Sequence, residues 1–158
     1  LVEGLPTFEE RLVERHEREI TARGIRLASH VDPRAAHVGG DPDRLEQALQ
    51  NLAANALRHT PEGGRLSLSA EDVAEGTRIS VRDTGPGIPA EHLPHVFERF
   101  YKADAARSAT RMSGSGLGLS IVQAIVERHG GTVTATNAPD GGALFEIRIP
   151  RPDHPRSE

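Results

Sequence analysis

Cysteine and tryptophan are absent from this 158-residue chain, and aromatic residues make up only 3% of it. Without thiols the fold can be neither stapled by disulfides nor built on thiolate-bound metal, so any metal chemistry must use oxygen or imidazole ligands. That usage fits a reducing compartment. A net charge of −4 and so few aromatics leave neither the basic face nor the stacking platforms of a nucleic-acid binder, and that class is set aside. No apolar run approaches the ~20 residues of a membrane-spanning helix, and the amino terminus lacks a charged-then-apolar secretion pattern. Lysine occurs once, at Lys102, among 19 basic residues. What remains is 36% hydrophobic, enough for one domain with a genuine core.

The opening LVEGLP reads as a linker stub over residues 1–6, and the domain proper as residues 7–150. Thr7 and Glu10 have the spacing of a capping box, which predicts a helix to about Arg23 closed by a left-handed Gly24. Its apolar positions are Phe8, Leu12, Val13, His16 and Ile20. Ile25, Leu27, Ser29 and Val31 then alternate as a strand does. Asp41-Pro42 is an N-cap followed by a first-turn proline, opening a helix through about His59 with the stripe Leu45, Ala48, Leu49, Leu52 and Ala56. Leu66/Leu68/Ala70 and Ile79/Val81 predict a hairpin around Glu75-Gly76.

Beyond Asp83 the chain is rich in Gly, Pro, Ser, Asp and Arg. It reads as a partly mobile lid over about residues 89–115, with a short helical piece at Phe97–Tyr101. A third helix runs from about Gly116 to His129 and stops at Gly130-Gly131. Val133/Ala135 and Phe145/Ile147/Ile149 form a last hairpin around Asp140-Gly141-Gly142, and residues 151–158 a disordered tail. Strands grouped with three helices predict a two-layer α/β sandwich, the helices on one face of a mixed, mostly antiparallel sheet.

Four blocks carry chemistry. On the second helix Asn51, Asn55 and Arg58 share one stripe about a quarter-turn from the apolar one, at the rim of the core. Asp83 ends a strand and precedes Thr84-Gly85-Pro86-Gly87-Ile88, where glycines let backbone approach a flat ligand. Gly114, Ser115, Gly116, Leu117, Gly118 and Leu119 precede a helix, whose N–H groups and dipole suit phosphate oxygens. Leu119 stands where a dinucleotide fingerprint needs its last glycine, and no P-loop pattern occurs. Phe97-Glu98-Arg99-Phe100-Tyr101-Lys102 combines aromatics with two cations. Taken singly, each block has an ordinary reading: a solvated helix face, a tight turn, a flexible linker, a short amphipathic helix.

In this order the blocks resemble the N, G1, F and G2 boxes of the ATP-binding catalytic domain of sensor histidine kinases. The resemblance runs from about Phe8 to Pro150. It implies the Bergerat fold shared with gyrase, Hsp90 and MutL, and ATP and Mg2+ as ligands. Asn55 is then the metal-binding amide, since magnesium on a triphosphate needs only one or two protein oxygens. Arg58 would reach the phosphates and His59 would flank the adenine or ribose. Asp83 would accept from the adenine amine and disfavour guanine, which offers a carbonyl there. Gly85, Gly87 and Ile88 would line the base, and residues 114–119 the phosphates. Arg99 and Lys102 would neutralise γ-phosphate charge. Related ATPases carry a glutamate base one turn before the metal-binding Asn. Asn51 cannot take a proton from water, which favours transfer to an external nucleophile over hydrolysis. Where the family usually shows a Gly-Thr-x-Phe-like ending, this chain has Ala143-Leu144-Phe145.

The resemblance also implies a histidine acceptor, and the chain offers no suitable one. His16 precedes Glu17 but lacks the downstream proline and sits on an apolar stripe, which predicts a satisfied, half-buried core histidine. His30, His37, His92, His95, His129 and His154 show no metal-site spacing. The acceptor is therefore expected on a separate dimerisation and phosphotransfer domain missing here, with a response regulator downstream. The fragment is expected to be a cytoplasmic monomer and the parent a homodimeric membrane sensor. A serine kinase of the anti-sigma type shares the fold but generally lacks the aromatic block. A nucleotide-sensing module without catalysis is the binding-protein alternative.

Overall fold

The computed structural model describes residues 5–32, 41–99 and 118–150. In order these form α1 (Leu5–Arg23), β1 (Arg26–Val31), α2 (Pro42–His59), β2 (Arg65–Val73), β3 (Gly76–Asp83), α3 (Gly118–Arg128), β4 (Thr132–Asn137) and β5 (Ala143–Pro150). The five strands make one sheet in the order β1-β2-β3-β5-β4. Only β1 and β2 are parallel, so the sheet is mixed and mostly antiparallel, as expected.

Period-two alternation sorts the sheet into two faces. Leu66, Leu68, Ala70, Ile79, Val81, Phe145 and Ile147 are buried under the helices. Ser67, Ser69, Glu71, Arg78, Ser80 and Glu146 fall between them in register, on the other face. Helix α2 is the centre of the helical layer, touching α1, α3 and β3. Its stripe of Leu45, Ala48, Leu49, Leu52 and Ala56 is buried, and so are Ala53 and Leu57. Asp41 caps its start, with Oδ1 accepting from the Asp43 and Arg44 N–H groups at 3.1 and 3.3 Å. Helix α1 is tied to it by a two-pronged pair, Arg11 donating to both oxygens of Glu46 at 2.9 and 3.0 Å. Burial pushes the Glu46 carboxyl up, but hydrogen bonds from Arg11 and Gln50 and the Arg11 and Arg15 charges outweigh it and hold it below the usual range.

Several local expectations shift. Helix α1 begins at Leu5, so Thr7 lies inside it and is no N-cap, and the boundary drawn between residues 6 and 7 falls within a helix. Val13 is 36% exposed instead of buried. The first hairpin turns at residues 74–75, and Gly76 already pairs with Val73, because the ladder runs three residues past Ala70. The short helical turn lies at Leu93–His95, upstream of Phe97. The last hairpin turns where expected, with Gly141 and Gly142 at φ +112° and +85°. The tail, residues 1–4 and most of the lid lie outside the described residues.

His16 is the informative departure in α1. It is half-buried, but its backbone leaves the helical region (φ −119°, ψ 19°), and among the described residues its buried Nε2 has no hydrogen-bond partner, so it is not satisfied there. Desolvation lowers its pKa below the ordinary value; Glu19 opposes the shift and Arg15 adds to it. An unfolded chain therefore binds the proton first, so the native state loses stability as pH falls from ~6.5 through the folded pKa. His16→Leu is expected to narrow the difference between melting temperatures measured at pH 7.5 and pH 5.5. An unchanged difference would refute this assignment.

Candidate functional site

The C-terminal half of α2 supplies one wall of the site. Asn55 is 9% exposed, and its Oδ1 accepts from Arg58 Nη2 at 3.1 Å. Arg58 is exposed overall, yet desolvation where it folds back on the helix lowers its pKa, with Glu19 opposing; it remains a cation. His59 is exposed, and its Nδ1 lies 2.9 Å from the Asn55 carbonyl, so Nδ1 carries the proton and Nε2 is left outward. Asn51, one turn back, is half-buried.

This helix end is fastened in two ways. Thr60, 1% exposed, donates through Oγ1 to the Ala56 carbonyl at 2.8 Å. Arg23, from the last turn of α1, donates to the carbonyls of Leu57 and Thr60, capping α2 where its dipole favours a cation. Sequence reasoning missed Arg23, because its partners lie 34 and 37 residues away.

Asp83 supplies the opposite wall. Its side chain ends β3 at 1% exposure, and Oδ1 accepts from the Gly85 N–H at 2.7 Å and the Ala143 N–H at 3.3 Å. Two backbone donors on one oxygen offset much of the cost of burying a carboxylate. Among the described residues nothing donates to Oδ2.

Glycines bring the walls together. A Cβ on Gly85 would lie 2.2 Å from the His59 carbonyl oxygen, so the Asp83 turn is in contact with the end of α2 only because residue 85 has no side chain. A Cβ on Gly142 would lie 1.9 Å from the Asp83 carbonyl oxygen, which makes the β4–β5 turn the third element of the site. Ile88 packs on the core, and its backbone N–H and C=O are both bonded to the Asn137 side chain. Asn137 too was missed.

Of the aromatic block, Phe97 stacks edge-on against Phe145 with centroids 6.3 Å apart, anchoring its start to the core. Arg99 is exposed. Phe100, Tyr101 and Lys102 lie outside the described residues, as do Gly114, Ser115, Gly116 and Leu117. Leu119 packs on the core, whereas a Cβ on Gly118 would meet nothing within 4 Å among the described residues. Among the described residues no group of three or more His, Asp or Glu side chains could hold a metal ion, so no self-contained metal centre stands beside the Asn55 oxygen.

The fold is a two-layer α/β sandwich in which the end of an amide-bearing helix meets, at Gly85, the turn that follows a buried carboxylate. The chain belongs to the histidine kinase-, DNA gyrase B-, and HSP90-like ATPase family, whose model matches residues 40–153. The signal transduction histidine-protein kinase AfsQ2 of Streptomyces coelicolor is 49% identical over 125 residues, covering 79% of this chain and 23% of AfsQ2. The chain therefore spans about a quarter of that relative's length. The catalytic domain of histidine kinase ThkA superposes with a TM-score of 0.79 at 32% identity, covering 94% of this chain and 93% of that one. ThkA has also been solved in complex with the response regulator protein TrrA (TM-score 0.75, 30% identity, 94% and 40% coverage). Full-length ShkA in complex with AMPPNP matches with a TM-score of 0.79 at 31% identity, covering 95% of this chain and 30% of ShkA.

Proposed function

We propose that this chain is the ATP-binding catalytic domain of a two-component sensor histidine kinase. It passes the γ-phosphoryl group of ATP to a histidine on a separate dimerisation and phosphotransfer domain of a homodimeric parent, on the cytoplasmic side of a membrane. A response regulator would then take the phosphoryl group. The single observation that carries this reading is Asp83. Its Oδ1 is consumed by two backbone N–H groups while Oδ2 is left for a donor, in a turn that touches the end of α2. A carboxylate held so selects an exocyclic amine, which adenine has and guanine lacks at that edge.

From that anchor the roles of the other residues follow. Gly85, Gly87 and Ile88 carry the backbone past the base, and His59 stands over the adenine or ribose. Arg58 leaves Asn55 Oδ1 and turns to the phosphates, exposing that oxygen. The Asn55 amide oxygen would hold magnesium, which on a triphosphate needs only one or two protein oxygens. When bound, that ion neutralises phosphate charge and orients the chain of phosphates. Among the described residues nothing lies within 4 Å of a Cβ on Gly118, which fits phosphates approaching the start of α3, with residues 114–119 completing the contact. Arg99 and Lys102 offset charge on the transferring group. An imidazole nitrogen of the acceptor forms the new bond to phosphorus as the bond to the ADP oxygen breaks. Asn51, an amide, does not activate water, so hydrolysis is slow.

Mixing this domain with a phosphotransfer domain and γ-labelled ATP is expected to label the acceptor histidine and not this chain. ATP binding without any label transfer would overturn the kinase reading. Asn55→Ala is expected to leave the melting temperature nearly unchanged while weakening Mg-ATP binding about tenfold or more, ~1.4 kcal/mol. Its residual affinity should no longer respond to a chelator. A variant whose affinity still falls on chelation would show that another residue takes the ion.

A further inference from the structure

Asn137 is the last residue of β4, and its side chain is exposed, yet both ends of its amide are committed. Oδ1 accepts from the Ile88 N–H at 2.7 Å, and Nδ2 donates to the Ile88 carbonyl at 2.8 Å. One side chain thus copies the two-bond exchange of an antiparallel pair, fastening a loop residue to the end of a strand 49 positions away. The neighbouring Gly87 is shaped by it: its φ is +85°, and a Cβ there would sit 2.8 Å from Asn137 Oδ1.

The segment between β3 and Ile88 is consequently tied at both ends. Asp83 Oδ1 holds Gly85, Thr84 Oγ1 accepts from the Arg65 N–H at 3.0 Å, and Asn137 holds Ile88. The core itself gains little from the last tie, because the two bonds lie at the surface, where water would satisfy both Ile88 groups. What the tie does supply is a fixed path for backbone beside the Asp83 carboxylate.

We infer that Asn137 is a positioning residue for the purine end of the nucleotide, holding Gly87 and Ile88 so that the base slot beside Asp83 exists before ligand arrives. This rests on the reading of Asp83 as the adenine acceptor. A defect at the base end affects every adenine nucleotide alike, whatever its phosphate count, and that distinguishes it from a phosphate-end role.

The test measures the Kd values of ADP and Mg-ATP by calorimetry for wild type, Asn137→Ala, Asn137→Asp and Asp83→Asn, with melting temperatures and amide exchange at Ile88. Asn137→Ala should weaken ADP and ATP by the same factor, about tenfold, speed exchange at Ile88 and barely move the melting temperature. Asn137→Asp keeps the acceptor for the Ile88 N–H but opposes the Ile88 carbonyl with a carboxylate, so it should bind no better than the alanine variant. Wild-type affinity in Asn137→Ala, beside lost binding in Asp83→Asn, overturns this inference and leaves the Asp83 reading standing. Undiminished affinity in Asp83→Asn overturns that reading and the inference with it. A larger loss for ATP than for ADP, or a melting temperature low enough to account for the loss, assigns Asn137 a different role and also overturns the inference.

Discussion

Asp83→Asn is expected to weaken Mg-ATP binding by about 100-fold or more while the domain stays folded. The amide is the same size as the carboxylate, and its oxygen can still accept from Gly85 and Ala143. Its nitrogen then occupies the place of Oδ2, where donor meets donor. Losing a charge-assisted bond of ~1.5–3 kcal/mol and leaving a desolvated donor unpaired for a further ~1–3 kcal/mol gives that factor. The amide nitrogen could instead donate to a guanine oxygen, so the preference for ATP over GTP should shrink. Titration of both nucleotides checks this. A variant that keeps its ATP affinity, or loses ATP and GTP in equal proportion, removes Asp83 from the adenine-recognising role.

Gly85→Ala is expected to damage binding and stability together. The new methyl would lie 2.2 Å from the His59 carbonyl oxygen and 3.0 Å from Asp83 Oδ1. The first of these is backbone and cannot rotate away, so the turn and the end of α2 must part. Overpacking of this kind costs about 1–3 kcal/mol, a fall in melting temperature of roughly 2–12 °C for a domain of this size. Nucleotide binding should be lost, because the carboxylate and the amide stand on the two pieces forced apart. Gly118→Ala is the contrast, since among the described residues its methyl meets nothing within 4 Å. It should melt at or slightly above the wild-type temperature yet bind ATP more weakly than ADP relative to wild type. Equal melting temperatures for Gly85→Ala and wild type would show that the contact does not constrain the helix end.

The individual elements were legible because their causes are local. The α2 stripe from Leu45 to Ala56, the Asp41-Pro42 start and the alternation in β2, β3 and β5 each follow from the period of one element. The same locality explains the errors. The helix start before Thr7, the exposure of Val13 and the unpartnered His16 depend on what packs against α1, which no window of its own residues contains. The placement of two candidate residues was legible to the same extent: Asn55 is buried at the rim of α2, and Asp83 at the end of β3, where the patterns put them.

By itself, the amino-acid sequence determined the elements, the residue types proposed to hold a nucleotide, and the glycines at which backbone can come close. Tertiary structure alone decided which of these meet. The order β3-β5-β4 delivers Gly142 and Asn137 to the two ends of the Asp83 loop, and the packing of α1 on α2 delivers Arg23 to the helix end. The hydrogen bonds made by Arg23, Asn137 and Ala143 at these places join residues separated by 34 to 60 positions. Hydrogen bonding and steric exclusion act over a few ångströms of space, and strand order sets which distant residues come within that range.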